Sequence, residues 1–458
     1  MPKSKRHRMI YRTISSLSAA SSPSVHSSVE YNPHELDIEK LAEEMTMRAK
    51  ESKPFSEKEM DEIMVSFLNV LVQDDPNNQE LNDEDESSVA SFDLEHLRKL
   101  IQTVGHLPHK EWDQTGESAR KLREILLQDS QTLTDEFKRM FQRVITEGNW
   151  DAAAQHAKSI KKGKPWAVLV TGVNGIRKTT SVYQPWFKQL LSQALVYPIS
   201  GPASNHHNVV IDVDELPTGE NSFFRQLDHM IITLINHNFE KLYAMTELAH
   251  DFEDENGTEE EPHGSRRSNP PPSQVIQKYS NYKAALFTRY RTLSEILGVL
   301  LVREAQSAGL NIMVETSGRD VAMFHYIDSF FPVDQYNKLA LHFTINDLSH
   351  AEQSVDNRMV GEMKSGIQAL KSKNVQNIIK ANAGGPYGSE VLKGIQEDSD
   401  KVWNSIISNV GEDKNVGNDW FKASIHIKAN LNGPWMAHAI LPDGSIGTEF
   451  TFEPPREV

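Results

Sequence analysis

Apolar residues recur at helical spacing along the first third of the chain. In SEKEMDEIMVSFLNVLVQ, Met60, Ile63, Met64, Phe67 and Val70 share one face. Ser56 and Glu59 form the S-x-x-E pattern of a capping box at its start. The preceding HELDIEKLAEEMTMRAKES reads as a shorter helix, so two helices are predicted over 35–75. From 92 to 147, Leu94, Leu97, Leu100 and Ile101 form a stripe that Leu122, Ile125, Leu126, Phe137, Met140, Phe141 and Val144 continue. These stripes predict core or partner-packing faces, with no chemistry of their own and no internal repeat.

At 161 the pattern changes. KKGKP is a basic hinge before a strand, WAVLVTG, and a helix over 179–195. A second strand is predicted in NVVIDVDEL at 208–216, then helices over 220–245 and 278–307. A third strand is NIMVETSG at 311–318 and a fourth KLALHFTI at 338–345. Strands alternating with helices predict an α/β fold, a parallel sheet with helices on both faces. The last forty residues alternate with period two and meet at NG and DG turns, which predicts an antiparallel β extension. The domains expected are a tail over 1–34, a helical region over 35–160 and an α/β domain over 161–410. A β-rich extension over 411–458 completes the set. An acidic linker falls at 74–90, and an insertion over 250–275 turns from acidic to basic to proline-rich.

Composition narrows the function classes. The 458 residues carry a formal net charge of −16, against nucleic acid or an anionic membrane as a partner. The 38% hydrophobic content allows a sizeable core, while the mean hydropathy of −0.52 points to polar tails. There is no cysteine, which excludes disulfides, cysteine-ligated zinc and thiol catalysis, and fits an intracellular, cytoplasmic protein. No apolar run reaches the ~18–20 residues of a membrane span. The first thirty residues are basic and serine-rich with no acid before Glu30. They read either as a phosphorylatable tail or as an organelle-import peptide.

Candidate chemistry starts where the first strand ends. Gly172, Val173, Asn174, Gly175, Ile176, Arg177, Lys178, Thr179 and Thr180 follow the phosphate-loop pattern G-x-x-x-x-G-K-[ST], with Arg177 in place of the second glycine. Such a loop cradles an anion with backbone N–H groups, while Lys178 adds a point charge and Thr179 a hydroxyl for Mg²⁺. Arg177 either points outward or crowds the loop, leaving a working nucleotide site, a cradle that binds weakly, or an ordinary strand–turn–helix. A guanine-reading N-K-x-D is absent, since Asn337-Lys338-Leu339-Ala340 lacks the aspartate. In VVIDVDEL, Asp214 is either a base for an incoming hydroxyl or a solvated or magnesium-orienting acid. Asp212 is read as structural or as a metal helper. Glu315, Thr316, Ser317 and Arg319 crowd the end of the third strand. They would bind an acceptor, unless Glu315 serves Mg²⁺ and Arg319 caps a loop. Asn346 and Asp347 end the fourth strand. Arg358 lies about three helical turns beyond, as a charge clamp or a surface ion pair. Arg289 and Arg291 are weaker candidates for a lid or acceptor contact. His206 and His207 read as loop residues, and Trp166, Trp186 and Trp420 as core.

The order Gly172–Thr179, Asp214, VETSGRD and a later arginine resembles the zeta-toxin-like branch of P-loop kinases, over roughly residues 161–360. The resemblance implies a P-loop kinase-like sheet and transfer of phosphate from ATP or GTP, with Mg²⁺, to a hydroxyl of a small molecule. In the toxins that acceptor is the sugar nucleotide UDP-N-acetylglucosamine. It implies Lys178 and Thr179 on phosphate and Mg²⁺, and Asp214 as base. Glu315 and Thr316 would lie on the acceptor, and Arg358 on the transferred charge. Arg177 departs from the family's pattern. The helices over 35–147 and the β-rich end lie outside it. A catalytically weak or inactive nucleotide-binding module, holding a protein partner through those helices, is the alternative.

Overall fold

The computed structural model describes residues 38–72, 93–159, 163–198, 211–255, 273–408, 416–430 and 433–453. The basic tail, the acidic linker, His206, His207 and residues 256–272 of the insertion lie outside the described residues. The helices before the first strand are α1 (Ile38–Lys50), α2 (Glu57–Val72), α3 (Leu94–Val104), α4 (Trp112–Leu127), α5 (Asp135–Met140), α6 (Gln142–Glu147) and α7 (Trp150–Ser159). Then come β1 (Trp166–Thr171), α8 (Lys178–Val182), α9 (Phe187–Ala194), β2 (Ser222–Arg225), α10 (Leu227–Leu234), α11 (Asn236–Glu255), α12 (Ser273–Arg289) and α13 (Arg291–Ser307). The remainder is β3 (Asn311–Glu315), α14 (Ala322–Phe330), β4 (Asn337–Ile345), α15 (Leu348–Ser372), α16 (Val375–Ala381), α17 (Leu392–Ser408), β5 (Phe421–Lys428), β6 (Trp435–Ile440) and β7 (Ile446–Phe452). No described helix is long and apolar enough to cross a membrane.

One seven-stranded sheet runs in the order β2-β3-β1-β4-β5-β6-β7. The first five strands in that order are parallel, and β6 and β7 close the far side antiparallel. Successive side chains point to opposite faces, so an all-apolar strand must be covered twice. In β1, Ala167 and Leu169 enter one core cluster while Trp166, Val168 and Val170 enter the other. The α/β class is as the alternation of elements predicts.

Three expectations are corrected. Within 208–216, the described residues form no strand: Val213–Glu215 is an exposed 3₁₀ turn. The second strand is Ser222–Arg225, inside the stretch read as a helix over 220–245. It is short but buried at every position, because β3 covers one edge and the Gly148 carbonyl accepts from the Phe224 amide on the other. The β-rich end has the antiparallel pairing expected, β5 with β6 and β6 with β7, but it continues the main sheet. Phe421–Ile427 pairs parallel with Leu339–Ile345, so β5 is an inner strand of the main sheet.

The helices before residue 160 are likewise no separate body. Met60, Ile63, Phe67, Leu97, Leu122 and Phe137 share one hydrophobic cluster with Phe223, Ile312 and Val314 of the sheet. The stripes are therefore this chain's own core, each fully buried side chain worth about 1.5–3 kcal/mol. The capping box at α2 forms as read: the Ser56 amide donates to Glu59 Oε2 at 2.7 Å, and the Glu59 amide to Ser56 Oγ at 3.3 Å. The helix over 179–195 breaks into α8 and α9 around Pro185, which cannot continue the ladder. Trp166 and Trp420 are buried, and half-buried Trp186 stacks on Phe450 at 5.3 Å.

Candidate active site

Ligands of parallel α/β sheets bind beyond the carboxyl ends of the strands. Here the segments after β1, β2 and β3 open into one cavity of about 620 Å³. Six cations line it, Lys110, Arg143, Arg225, Arg291, Arg319 and Arg358, against four acids, Glu147, Asp228, Glu315 and Asp320. In a chain of net charge −16 this reverses the local sign, as a site for phosphate requires.

The glycine turn after β1 has left-handed backbone at Gly172, Gly175 and Arg177. Gly172 and Gly175 have φ of 123° and 87°, and a Cβ on either would press to 2.4 Å from the Phe343 carbonyl oxygen or 2.6 Å from that of Ala351. Arg177 adopts φ 64°, ψ 31°, the left-handed conformation that glycine takes without strain. For arginine this costs roughly 1–2 kcal/mol. The side chain turns away from the cavity, with its guanidinium 6.0 Å from the centroid of Trp435 on β6.

Lys178 straps the loop. Its Nζ donates to the carbonyls of Gly172 and Val173 at 2.6 and 2.8 Å and lies 3.2 Å from Glu315 Oε1. Burial pushes its pKa down, and Glu315 opposes that. Thr179 Oγ1 donates to Glu315 Oε2 at 2.9 Å. Glu315 thus engages Lys178 and Thr179 together rather than reaching freely into the cavity. Thr179 and Glu315 fit a Mg²⁺ ion, which takes one or two protein oxygens and completes its shell with water and phosphate. Among the described residues no group of three or more His, Asp or Glu could hold a metal by itself.

Asp214 and Asp212 are elsewhere. The Asp214 side chain is 91% exposed, and its nearest cation is Lys188 at 3.9 Å. Asp212 caps the 3₁₀ turn by accepting from the Asp214 amide at 3.0 Å. The Glu215 carbonyl accepts from the indole of Trp166, at the start of β1. This places the turn at the opposite end of the sheet from the P-loop, about 16 Å away along a six-residue strand. Neither acid can be base or metal ligand here.

The acid at the end of the true second strand is Asp228, which lines the cavity. Burial pushes its carboxyl pKa up, while Arg291, Lys283 and Arg358 pull it back. Local reading missed it because FFRQLDHMIITL looks helical throughout. An acid shortly after a short aromatic run was the available signal. Thr316, Ser317 and Arg319 line the cavity as expected, and Arg319 reaches Tyr387 with Nη2 3.3 Å from its hydroxyl. Arg358 also lines it, donating from Nη2 to the Gly385 carbonyl at 3.0 Å. Of residues 172–180 only Asn174 and Thr179 line the cavity; Gly172, Val173, Gly175, Ile176, Arg177, Thr180 and the buried Lys178 do not. Asn346 and Asp347 are structural: Asn346 accepts from the Ala429 amide and Asp347 caps α15. Arg289 is buried against Glu59 and the carbonyls of Lys53 and Pro54. Arg291 does reach the cavity, bonded to Glu295 at 3.0 Å.

Two contributions had no signal in the sequence reading. His109, Lys110 and Trp112, ahead of the P-loop by sixty residues or more, form one wall, with Lys110 paired to Asp320 at 2.9 Å. The segment Ala383–Tyr387 forms the roof. Compared with known protein families, with curated proteins and with solved structures, the chain matches none.

Proposed function

We propose that the chain is a phosphotransferase of the P-loop kinase type, with the zeta-toxin-like kinases as the family it resembles. It would move the γ-phosphoryl group of ATP or GTP to a hydroxyl of a small molecule, an acceptor such as a sugar nucleotide. The observation that supports this most is convergence. The P-loop threonine, Glu315, Asp228 and Arg358 come from four segments and line one cation-rich cavity.

In this reading the acceptor oxygen bonds to the γ-phosphorus as the bond to the bridging oxygen breaks, leaving a nucleoside diphosphate. Asp228, not Asp214, takes the hydroxyl proton. Burial shifts its pKa upward, which strengthens it as a base, while Arg291, Lys283 and Arg358 oppose that shift. Arg358 would neutralise charge on the phosphoryl oxygens, Lys178 would join it only by giving up the Gly172 and Val173 carbonyls it now holds, and Thr179 with Glu315 would hold Mg²⁺. When bound, that ion neutralises charge building on the β- and γ-oxygens. Transfer of this kind needs positioning and charge neutralisation more than covalent help.

The test is thermal unfolding with and without Mg-ATP or Mg-GTP, followed by diphosphate release with a panel of hydroxyl acceptors. A nucleotide at about a hundred times its Kd adds about 2.7 kcal/mol to the folded state. That gain should vanish in Lys178→Ala. Asp228→Asn should keep it and lose roughly 10²–10⁴-fold in transfer, while Asp214→Asn changes neither. No stabilisation by either nucleotide at millimolar concentration would overturn the reading. Stabilisation without turnover on any acceptor would favour the second reading, a nucleotide-binding module with a strained loop at Arg177.

A further inference from the structure

The roof of the cavity is irregular backbone, and side chains hold it in place. Residues 382–388, without helix or strand, link α16 to a 3₁₀ turn at Ser389–Val391 that leads into α17. Behind them lies an ion pair with no solvent exposure on either side chain, Lys283 of α12 and Glu362 of α15, at 2.8 Å. Lys283 spends all three ammonium protons there: on Glu362 Oε2, on Asn382 Oδ1 at 2.8 Å and on the Gly384 carbonyl at 2.6 Å. Glu362 Oε2 also accepts from the Ala383 amide at 2.8 Å, and its Oε1 accepts from the Tyr279 hydroxyl. Asn382 in turn donates from Nδ2 to the backbone carbonyl of Asp228 at 3.3 Å.

What this assembly holds is the part of the roof that meets the reacting groups. The Gly385 carbonyl accepts from Arg358. A Cβ on Gly385 would stand 3.3 Å from Asn174 Nδ2 of the P-loop and 3.4 Å from Asp228 Oδ2. Gly384 has a φ of 134°, and its Cβ would stand 3.5 Å from Arg358 Nη1. One glycine pair therefore touches the P-loop, the base and the arginine clamp, and its position is set by Lys283 and Glu362. A buried ion pair is weak evidence of a stabilising role, since apolar residues of similar size often replace one without loss.

We propose that Lys283 and Glu362 are positioning residues of the transfer site, which set the Asn382–Gly385 segment and through it the relative placement of Asp228 and Arg358. The proposal rests on the kinase reading for its consequence in turnover, but not for its structural half. The experiment uses the full chain with Lys283→Met/Glu362→Leu. Amide exchange at Ala383 and Gly384 should quicken, while exchange over the P-loop stays as in the wild type. Stabilisation by Mg-ATP should persist. Diphosphate release should fall about 100-fold in kcat, the scale of an ångström-sized misplacement, with KM for the nucleotide unchanged. Glu362→Gln would leave the buried Lys283 without a counter-charge, so the back-up variant is Asn382→Ala, which removes one acceptor of Lys283 and the bond to the Asp228 carbonyl while keeping the ion pair. It should quicken exchange at 383–384 and lower kcat with nucleotide stabilisation kept, and it serves if the double variant does not fold.

Unchanged exchange at 383–384 would overturn the proposal, as would a loosened segment with full turnover. A fall in kcat together with a raised KM and quickened P-loop exchange would mark a general loss of structure and also overturn it. Failure of the kinase reading shows separately, as no nucleotide stabilisation in the wild type. The exchange measurement then still decides whether the pair sets the roof.

Discussion

Replacing Arg177 tests how the P-loop tolerates an arginine. In Arg177→Gly the left-handed strain of roughly 1–2 kcal/mol is relieved. Two losses oppose this. Glycine gives the unfolded chain freedom worth about 0.4–1 kcal/mol. The contact with Trp435, at the outer limit of cation–π range, is worth about 0.5–1 kcal/mol. The terms nearly cancel, so the stability of Arg177→Gly should lie within about 1 kcal/mol of the wild type. Arg177→Ala keeps the strain and loses the contact, so it should be less stable than the glycine variant by about 0.5–1 kcal/mol. Denaturant unfolding of the three proteins reads the order. Since the guanidinium faces β6 and not the cavity, Mg-ATP affinity should differ little between wild type and Arg177→Gly. An alanine variant more stable than the glycine one would refute the left-handed backbone. Nucleotide stabilisation that appears only in Arg177→Gly would mean the arginine blocks the cradle.

Other substitutions probe the cavity walls. Arg225 and Glu295 are fully buried, with Nη1 and Oε2 2.6 Å apart. Burial pushes the Glu295 carboxyl up, but Arg225 and Arg291 outweigh it and hold the pKa at about 2. Glu295→Gln should cost about 3–5 kcal/mol, read by denaturant midpoint, whereas the apolar pair Arg225→Met/Glu295→Leu should come close to the wild type. His229, 8% exposed, is pushed down by burial to about 3 from an ordinary 6.5. Between those values the unfolded chain binds a proton that the folded chain refuses, so stability falls as pH drops through that window, by up to about 1.4 kcal/mol per pH unit. His229→Gln should remove that share of the slope between pH 7 and 5. An equal slope in the variant would show the imidazole charged in the fold.

What the chain revealed locally, and what it withheld, follows from where the determinants lie. β1 and its loop were legible because WAVLVT is apolar on both faces and the glycines, lysine and threonine that follow are consecutive. The helix stripes were legible for the same reason: periodicity is local, and those side chains do face the core. β2 was not, since four residues carry too little pattern and its Arg225 is neutralised by Glu295, seventy positions away. VVIDVDEL alternates like a strand, but its described residues, from Ile211 on, form an exposed turn at Val213–Glu215. That exchange moved the proposed base from Asp214 to Asp228. The antiparallel strands at the end were legible, but not where they attach. Their period was right, but period says nothing about which sheet a strand joins, and β5 joins β4.

The strand order carries a consequence for synthesis. Thr171 of β1 bonds to Leu341 of β4, 170 positions later, and the register from Trp166 to Thr171 is completed only by β3 and β4. At the ribosome's pace of about 5–20 residues per second, the most apolar strand of the molecule waits roughly 10 to 30 s for its neighbours. The helices ahead of it leave the exit tunnel first, yet much of what they pack against has still to be made. A nascent chain stopped before residue 345 would expose both faces of β1, making it a natural client for chaperones that hold apolar segments until the message is fully read.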